Sequence, residues 1–163
     1  MAKAREPGVH GATLATNHKA RRDYEILETY EAGLELKGTE IKSIRQHRVT
    51  IDDSFARIEG GELFLYNMHV SPYEQGGRWN AEPDRVRRLL MHRRQITRLH
   101  GLLTQKRLTL VALRLYQQHG FVKVEIALGK GKRIFEKRDR IREREADREI
   151  QRRLRHDRPG RAP

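Results

Sequence analysis

The last 35 residues, Gly129 to Pro163, hold 14 Lys/Arg and 7 Asp/Glu and almost nothing that could form a core. Any hydrophobic core must therefore be closed by the residues before them. Residues 1 to 22 are also basic, with 5 Lys/Arg and 1 acid, while residues 23 to 128 carry 16 Lys/Arg and 14 acids. A domain of ordinary charge balance thus lies between two basic arms. Within it, residues 23 to 62 have 5 basic and 10 acidic side chains, whereas 63 to 128 have 11 basic and 4 acidic. Clustered positive charge of this kind is the footprint of a nucleic-acid binder.

The central stretch fits one small domain with a single core. The chain has no cysteine, which excludes disulfides and thiolate metal sites and fits the cytoplasm. No apolar run approaches the ~18 residues of a membrane span, and no apolar stretch of a signal peptide is seen. The expectation is a soluble, cytoplasmic protein.

Residues 1–15 are rich in Gly and Ala without periodicity, which predicts a flexible basic arm. Alternation from Asp23 through Tyr24, Ile26, Glu28 and Tyr30 reads as a strand that bends at Ala32-Gly33. Thr39 is a candidate cap for a short helix through Arg45, with Ile41 and Ile44 on one face. Ser54–Ile58 and Leu63–Met68, joined through Gly60-Gly61, read as a hairpin. Val86, Leu89, Leu90 and Arg93 after Pro83, then Ile96, Leu99, Leu102 and Leu103, are spaced at three and four, which predicts one helical excursion between sheets. Leu108–Tyr116 and Phe121–Leu128 are the strongest strands, with the turn at Gln117 to Gly120. Five or six strands with tight hairpins and a few helices predict a mainly β fold, a small antiparallel barrel.

In the tail, Ala146, Ile150 and Leu154 share a helix face but Ile141 points the opposite way. Like-charged pairs such as Glu145 with Glu149 offset the favourable Glu149 to Arg153 pair. Such a segment is expected to be disordered when free and helical when bound.

Catalytic and metal motifs do not emerge. The eight histidines are scattered, without HExxH spacing. The run Gly129 to Arg133 lacks the earlier glycine and the Ser/Thr of a phosphate loop, and Asp52-Asp53 reads as a turn. An enzyme is the weakest class, since no nucleophile, base and orienting acid converge.

Several blocks in order carry a resemblance. They are NHKARRDYEI at Asn17, YEAGLELKGTEIKSIR at Tyr30, GELFLYNMHVSPY at Gly61, PDRVRRLLMH at Pro83, LTLVALRLY at Leu108 and GKGKRIFEKR at Gly129. Together they resemble the SmpB family over roughly residues 16 to 145. The resemblance implies a non-enzymatic RNA-binding adaptor of trans-translation. It would have an oligonucleotide-binding (OB-fold-like) barrel with about three added helices at 16–128 and a basic tail at 129–163. The implied partners are transfer-messenger RNA, bound at its tRNA-like domain, the stalled ribosome with its small-subunit RNA, and elongation factor Tu reached through the RNA. No cofactor, metal or membrane is implied. The tail would enter the empty messenger channel and fold near the decoding centre.

Family RNA-contact positions fall on Asn17, Lys19, Glu31, Leu90 and Lys123. Asn17 offers an amide to a base edge or a 2′-hydroxyl, and a turn residue is the alternative. Glu31 would have to accept from base amino or hydroxyl donors, or else be a solvated acid. Leu90 either packs under a base or fills the core. Lys19 and Lys123 are candidate phosphate contacts. Lys130, Lys132 and Arg133 extend the RNA set. Glu136, Lys137, Arg138, Arg140, Arg144, Ile150 and Leu154 form the ribosome-directed tail set. Glu136 stands where the family usually has Asp, and Ala146 where some relatives carry an aromatic. Trp79, in the loop Gly76 to Asn80, is the best exposed candidate for stacking. Two other classes remain: a generic single-strand-binding module, echoed only by Gly120–Lys123, and a ribosomal or assembly protein.

Overall fold

A type I′ two-residue connection between strands needs left-handed backbone at both positions, and Gly60-Gly61 supplies it with φ of 58° and 79°. His119-Gly120 repeats the device at φ 50° and 80°. These two turns organise the sheet in the computed structural model, which describes residues 11–132 together with Glu145 and Arg148. In chain order the elements are β1 (Thr13–Thr16), α1 (His18–Asp23), β2 (Tyr24–Leu34), α2 (Gly38–Arg45), β3 (Val49–Thr50), β4 (Phe55–Glu59) and β5 (Glu62–Tyr66). They continue with β6 (His69–Val70), a 3-10 turn (Gly77–Trp79), β7 (Arg87–Leu90), α3 (Arg93–Lys106), β8 (Thr109–Gln118) and β9 (Phe121–Gly131).

The described part is mainly β, with one large antiparallel sheet and three α-helices. The strand order is β1-β8-β4-β5-β7-β2-β9, and β8 also pairs with β9. A separate ribbon joins β3 to β6. Alternation decides which side chains turn inward: Leu63 and Leu65 of β5, Leu110, Ala112 and Leu115 of β8, and Val124, Ile126 and Leu128 of β9 are buried. Ile44 of α2 and Ile96 and Leu99 of α3 join the same core. Each such side chain contributes about 1.5–3 kcal/mol when fully buried.

Alternation fails along Leu110–Leu113, where every residue is buried. The outer side there is covered as well: Ala20 of α1 packs on Val111, Leu113 and Ala127. The β8–β9 register also shifts between Ala112 and Arg114.

The stretch after Pro83 is a strand, not the first half of a helix. Arg87 and Leu89 are 0% and 2% exposed while Leu90 is 50% exposed, the period of a strand. Spacing at three and four misled because Val86 is exposed and takes no part in a core face. The arm expected over residues 1–15 already holds β1, whose Thr13 lies opposite Tyr116. α1 takes residues expected to lead into a strand. α2 begins at Gly38, and its N-terminus is closed by Glu40, which accepts the Lys37 N–H at 2.8 Å, in place of Thr39. β9 runs to Gly131, beyond the core boundary expected at residue 128.

Glu40 ties α2 to the segment before and within β7. Its carboxylate accepts from Arg85 (2.6 Å) and from fully buried Arg87 (2.8 Å). Arg87 also donates to the carbonyls of Met68, Arg85 and Pro83. Burial by itself would raise the Glu40 pKa, but the hydrogen bonds from Arg85 and Lys37 and the charge of Arg87 hold it below the usual carboxylate value. Burial lowers the Arg87 pKa from its ordinary value, against the pull of Glu40.

The chain divides into two compact units, Met1–Gly131 and Lys132–Pro163. In the second, Glu145 and Arg148 are helical. The expectations for Arg133, Glu136, Lys137, Arg138, Arg140, Arg144, Ile150 and Leu154, and for the tail's free and bound states, lie outside the described residues.

Candidate nucleic-acid interface

Registered neighbours in an antiparallel sheet project to the same side. Leu90 lies opposite Gly33, Gly33 opposite Lys123, and Lys123 opposite Tyr116, so these four form one row across β7, β2, β9 and β8. The adjoining row is Glu31, Glu125 and Arg114. Both rows are on the outer side, because Ala32, Val124 and Leu115 between them turn to the core.

Glu31 is the centre of this face. Its carboxylate accepts a hydrogen bond from the Tyr116 hydroxyl on one oxygen and from the Lys123 ammonium on the other. Beside it, the Arg114 Nε donates to Glu125 at 2.6 Å, and the Arg114 guanidinium lies 5.4 Å from the Tyr116 ring centre. Burial, and then the hydrogen bond to Glu31, raise the Tyr116 pKa above its ordinary value, so the phenol stays protonated and donating. The two rows carry two acids, Glu31 and Glu125, against two cations, Lys123 and Arg114, and Glu31 fixes the position of one cation and of the buried Tyr116 phenol.

Gly33 leaves the row open between Leu90 and Lys123. A Cβ there would sit 3.3 Å from the Leu90 Cβ. Half-exposed Leu90 is neither core nor helix. It is an exposed apolar edge to a charged surface.

The structure brings Glu31, Leu90 and Lys123 onto this one face. Asn17 is different, since it is 4% exposed. Its Oδ1 caps α1 by accepting from the Ala20 N–H at 2.9 Å, and its Nδ2 donates to the carbonyls of Ile51 (3.1 Å) and Ala112 (2.9 Å). Its amide is thus committed within the fold and has no hydrogen left for a base edge. The residue instead anchors α1, which covers Ala127, two positions along β9 from Glu125 and on the same side. Lys19, exposed on α1, pairs with Asp53 at 3.2 Å. Asp52-Asp53 form the turn expected of them. Lys130 is exposed near the end of β9 and Lys132 follows the strand.

Arg114 and Glu125 were not singled out from sequence, Gly33 read only as a bend in its strand, and Tyr116 only as the end of the strand from Leu108. Their common signal is the register, which no single strand reveals. Among the described residues no group of three or more His, Cys, Asp or Glu could hold a metal ion.

These features define a small basic β protein with a polar face carried on its large sheet. The family model described as SmpB protein matches residues 14–156. An SsrA-binding protein of Carboxydothermus hydrogenoformans is 59% identical over 142 residues, covering 87% of this chain and 95% of the relative. That of Bacillus subtilis (strain 168) is 54% identical over 154 residues, covering 94% and 99%. A solved chain described under "tmRNA-SmpB: a journey to the center of the bacterial ribosome" is 50% identical with a TM-score of 0.63, covering 76% of this chain and 87% of that one. The chain belongs to the SmpB family.

Proposed function

We propose that this chain is a non-catalytic adaptor of trans-translation. It binds the tRNA-like domain of transfer-messenger RNA through the Glu31 face and delivers that RNA to stalled ribosomes in the cytoplasm. The observation that carries this reading is the Glu31–Lys123 pair, braced by the buried Tyr116 hydroxyl, which holds a cation in a fixed position on the sheet face that also exposes apolar Leu90. Family membership supports it, as do the relatives' description as SsrA-binding proteins and the neighbouring tmRNA-SmpB structure. Pairing runs from β8 through β4, β5, β7, β2 and β9 and back to β8, which supports the OB-like barrel reading. No helix among the described residues is long and apolar enough to cross a membrane.

We assign the tail from about Lys132 onward to the ribosome. Its excess of Lys and Arg suits a channel lined with ribosomal RNA. Asn17 acts through the placement of α1, and Lys19 and Lys130 act as outlying phosphate contacts.

The test is competition binding at about 150 mM salt, where exposed charges are screened beyond ~8 Å. The tRNA-like domain competes against bulk transfer RNA. A strong preference for the former is expected. Equal binding would overturn the dedicated adaptor and favour a generic RNA-binding module.

A further inference from the structure

Trp79 is 74% exposed, yet the loop that carries it is fixed from several sides. Asn80 clamps Tyr73 twice: its Oδ1 accepts the Tyr73 N–H and its Nδ2 donates to the Tyr73 carbonyl, both at 2.9 Å. Gly76 sits so close beneath this amide that a Cβ would lie 2.5 Å from the Asn80 Oδ1. Gly77 takes φ 48°, a left-handed value that favours glycine. The Trp79 N–H bonds the Gly76 carbonyl at 2.9 Å, and the Thr39 hydroxyl of α2 donates to the Trp79 carbonyl at 3.4 Å. A large apolar ring presented to water on a fixed backbone is poised for a partner, since the cost of ordering the loop is met before binding.

The surroundings indicate which partner. The Arg78 guanidinium lies 5.2 Å from the Trp79 ring centre, and Lys42 of α2 lies 5.2 Å from that of Tyr73. The neighbouring acid Glu74 is turned to Arg48 at 3.0 Å. Aromatic rings interleaved with cations match a base stacked between phosphates, whereas a protein groove would meet Trp79 with apolar neighbours. A short turn joins the Glu31–Gly33 end of β2 to α2, whose Thr39 holds this loop.

Resting on that RNA-binding reading, we propose that Trp79 is a second RNA contact, stacking on an unpaired base of the same tRNA-like domain while Arg78 and Lys42 face the flanking phosphates. Stacking uses the π-face common to all bases, so the contact adds affinity more than sequence choice.

Trp79 is the chain's only tryptophan, so intrinsic emission reports this ring alone. The full chain is titrated with dye-labelled tRNA-like domain. Dye anisotropy follows binding, and tryptophan emission with acrylamide access follows stacking. The expected result is quenched emission and reduced acrylamide access that saturate together with anisotropy. In the same assay Trp79→Ala, with its melting temperature unchanged, weakens binding about tenfold, and Trp79→Phe restores most of it. Anisotropy that reports binding while emission and acrylamide access stay constant would overturn the Trp79 contact and leave the Glu31 reading standing. Wild-type affinity in Trp79→Ala would do the same. Absence of any binding would overturn both.

Discussion

In the proposed RNA face Glu31 carries the most weight, because one carboxylate fixes both the Lys123 ammonium and the buried Tyr116 hydroxyl. Glu31→Ala should therefore weaken RNA binding by about tenfold, although it removes a negative charge from a surface meant for phosphate. A rise in affinity, measured by filter binding, would mean that Glu31 only repels. Lys123→Ala should cost a similar factor, and the double variant should lose less than the product of the two, since contacting residues couple by ~0.5–3 kcal/mol. Glu40 tests the other charged cluster, which serves the fold. Glu40→Ala leaves Arg87 buried without its carboxylate and should destabilise the protein by ~3–5 kcal/mol in urea unfolding. The folded-state pKa of Glu40 is lowered, so its stabilisation is present above the unfolded carboxylate value of about 4.3 and is lost as pH falls through the folded value. The acid limb of a stability–pH curve should flatten in Glu40→Gln, and an unchanged limb would assign it to other carboxylates.

Elements differed in how plainly their residues announced them. The β4–β5 hairpin was readable because Gly60-Gly61 has one common use between alternating strands. Gly61→Val forces a β-branched residue to φ 79° and should cost about 1–2 kcal/mol, read as a lowered melting temperature. β8 and β9 were readable from their apolar runs. β7 was not, because Arg87 looks like a surface residue until Glu40, 47 positions away, supplies its partner. α1 was missed for the same reason: Asn17 caps six mostly polar residues whose single buried side chain is Ala20. At the face, Glu31, Leu90 and Lys123 were reached through family resemblance, whereas Tyr116 and Gly33 needed the β2–β9–β8 register. Trp79 was legible as exposed, but the clamp of Asn80 on Tyr73 that fixes its loop was not.

For the whole molecule, the proposed function divides labour between the sheet unit ending at Gly131 and the basic tail from Lys132. Electrostatic contacts make RNA affinity fall with salt in proportion to the phosphates neutralised. A truncated chain should keep the slope of the sheet unit and lose only what the tail adds. Truncation before Gly129 would cut into β9, so the informative deletion begins at Arg133. The most direct measurement compares residues 1–132 with the full chain in two assays, affinity for the tRNA-like domain and tagging of nascent chains on stalled ribosomes. The expected result is affinity within a few-fold of the full chain and tagging abolished. Parallel loss of both would contradict it, because recognition would then reside in the tail's charge and not in the Glu31 face.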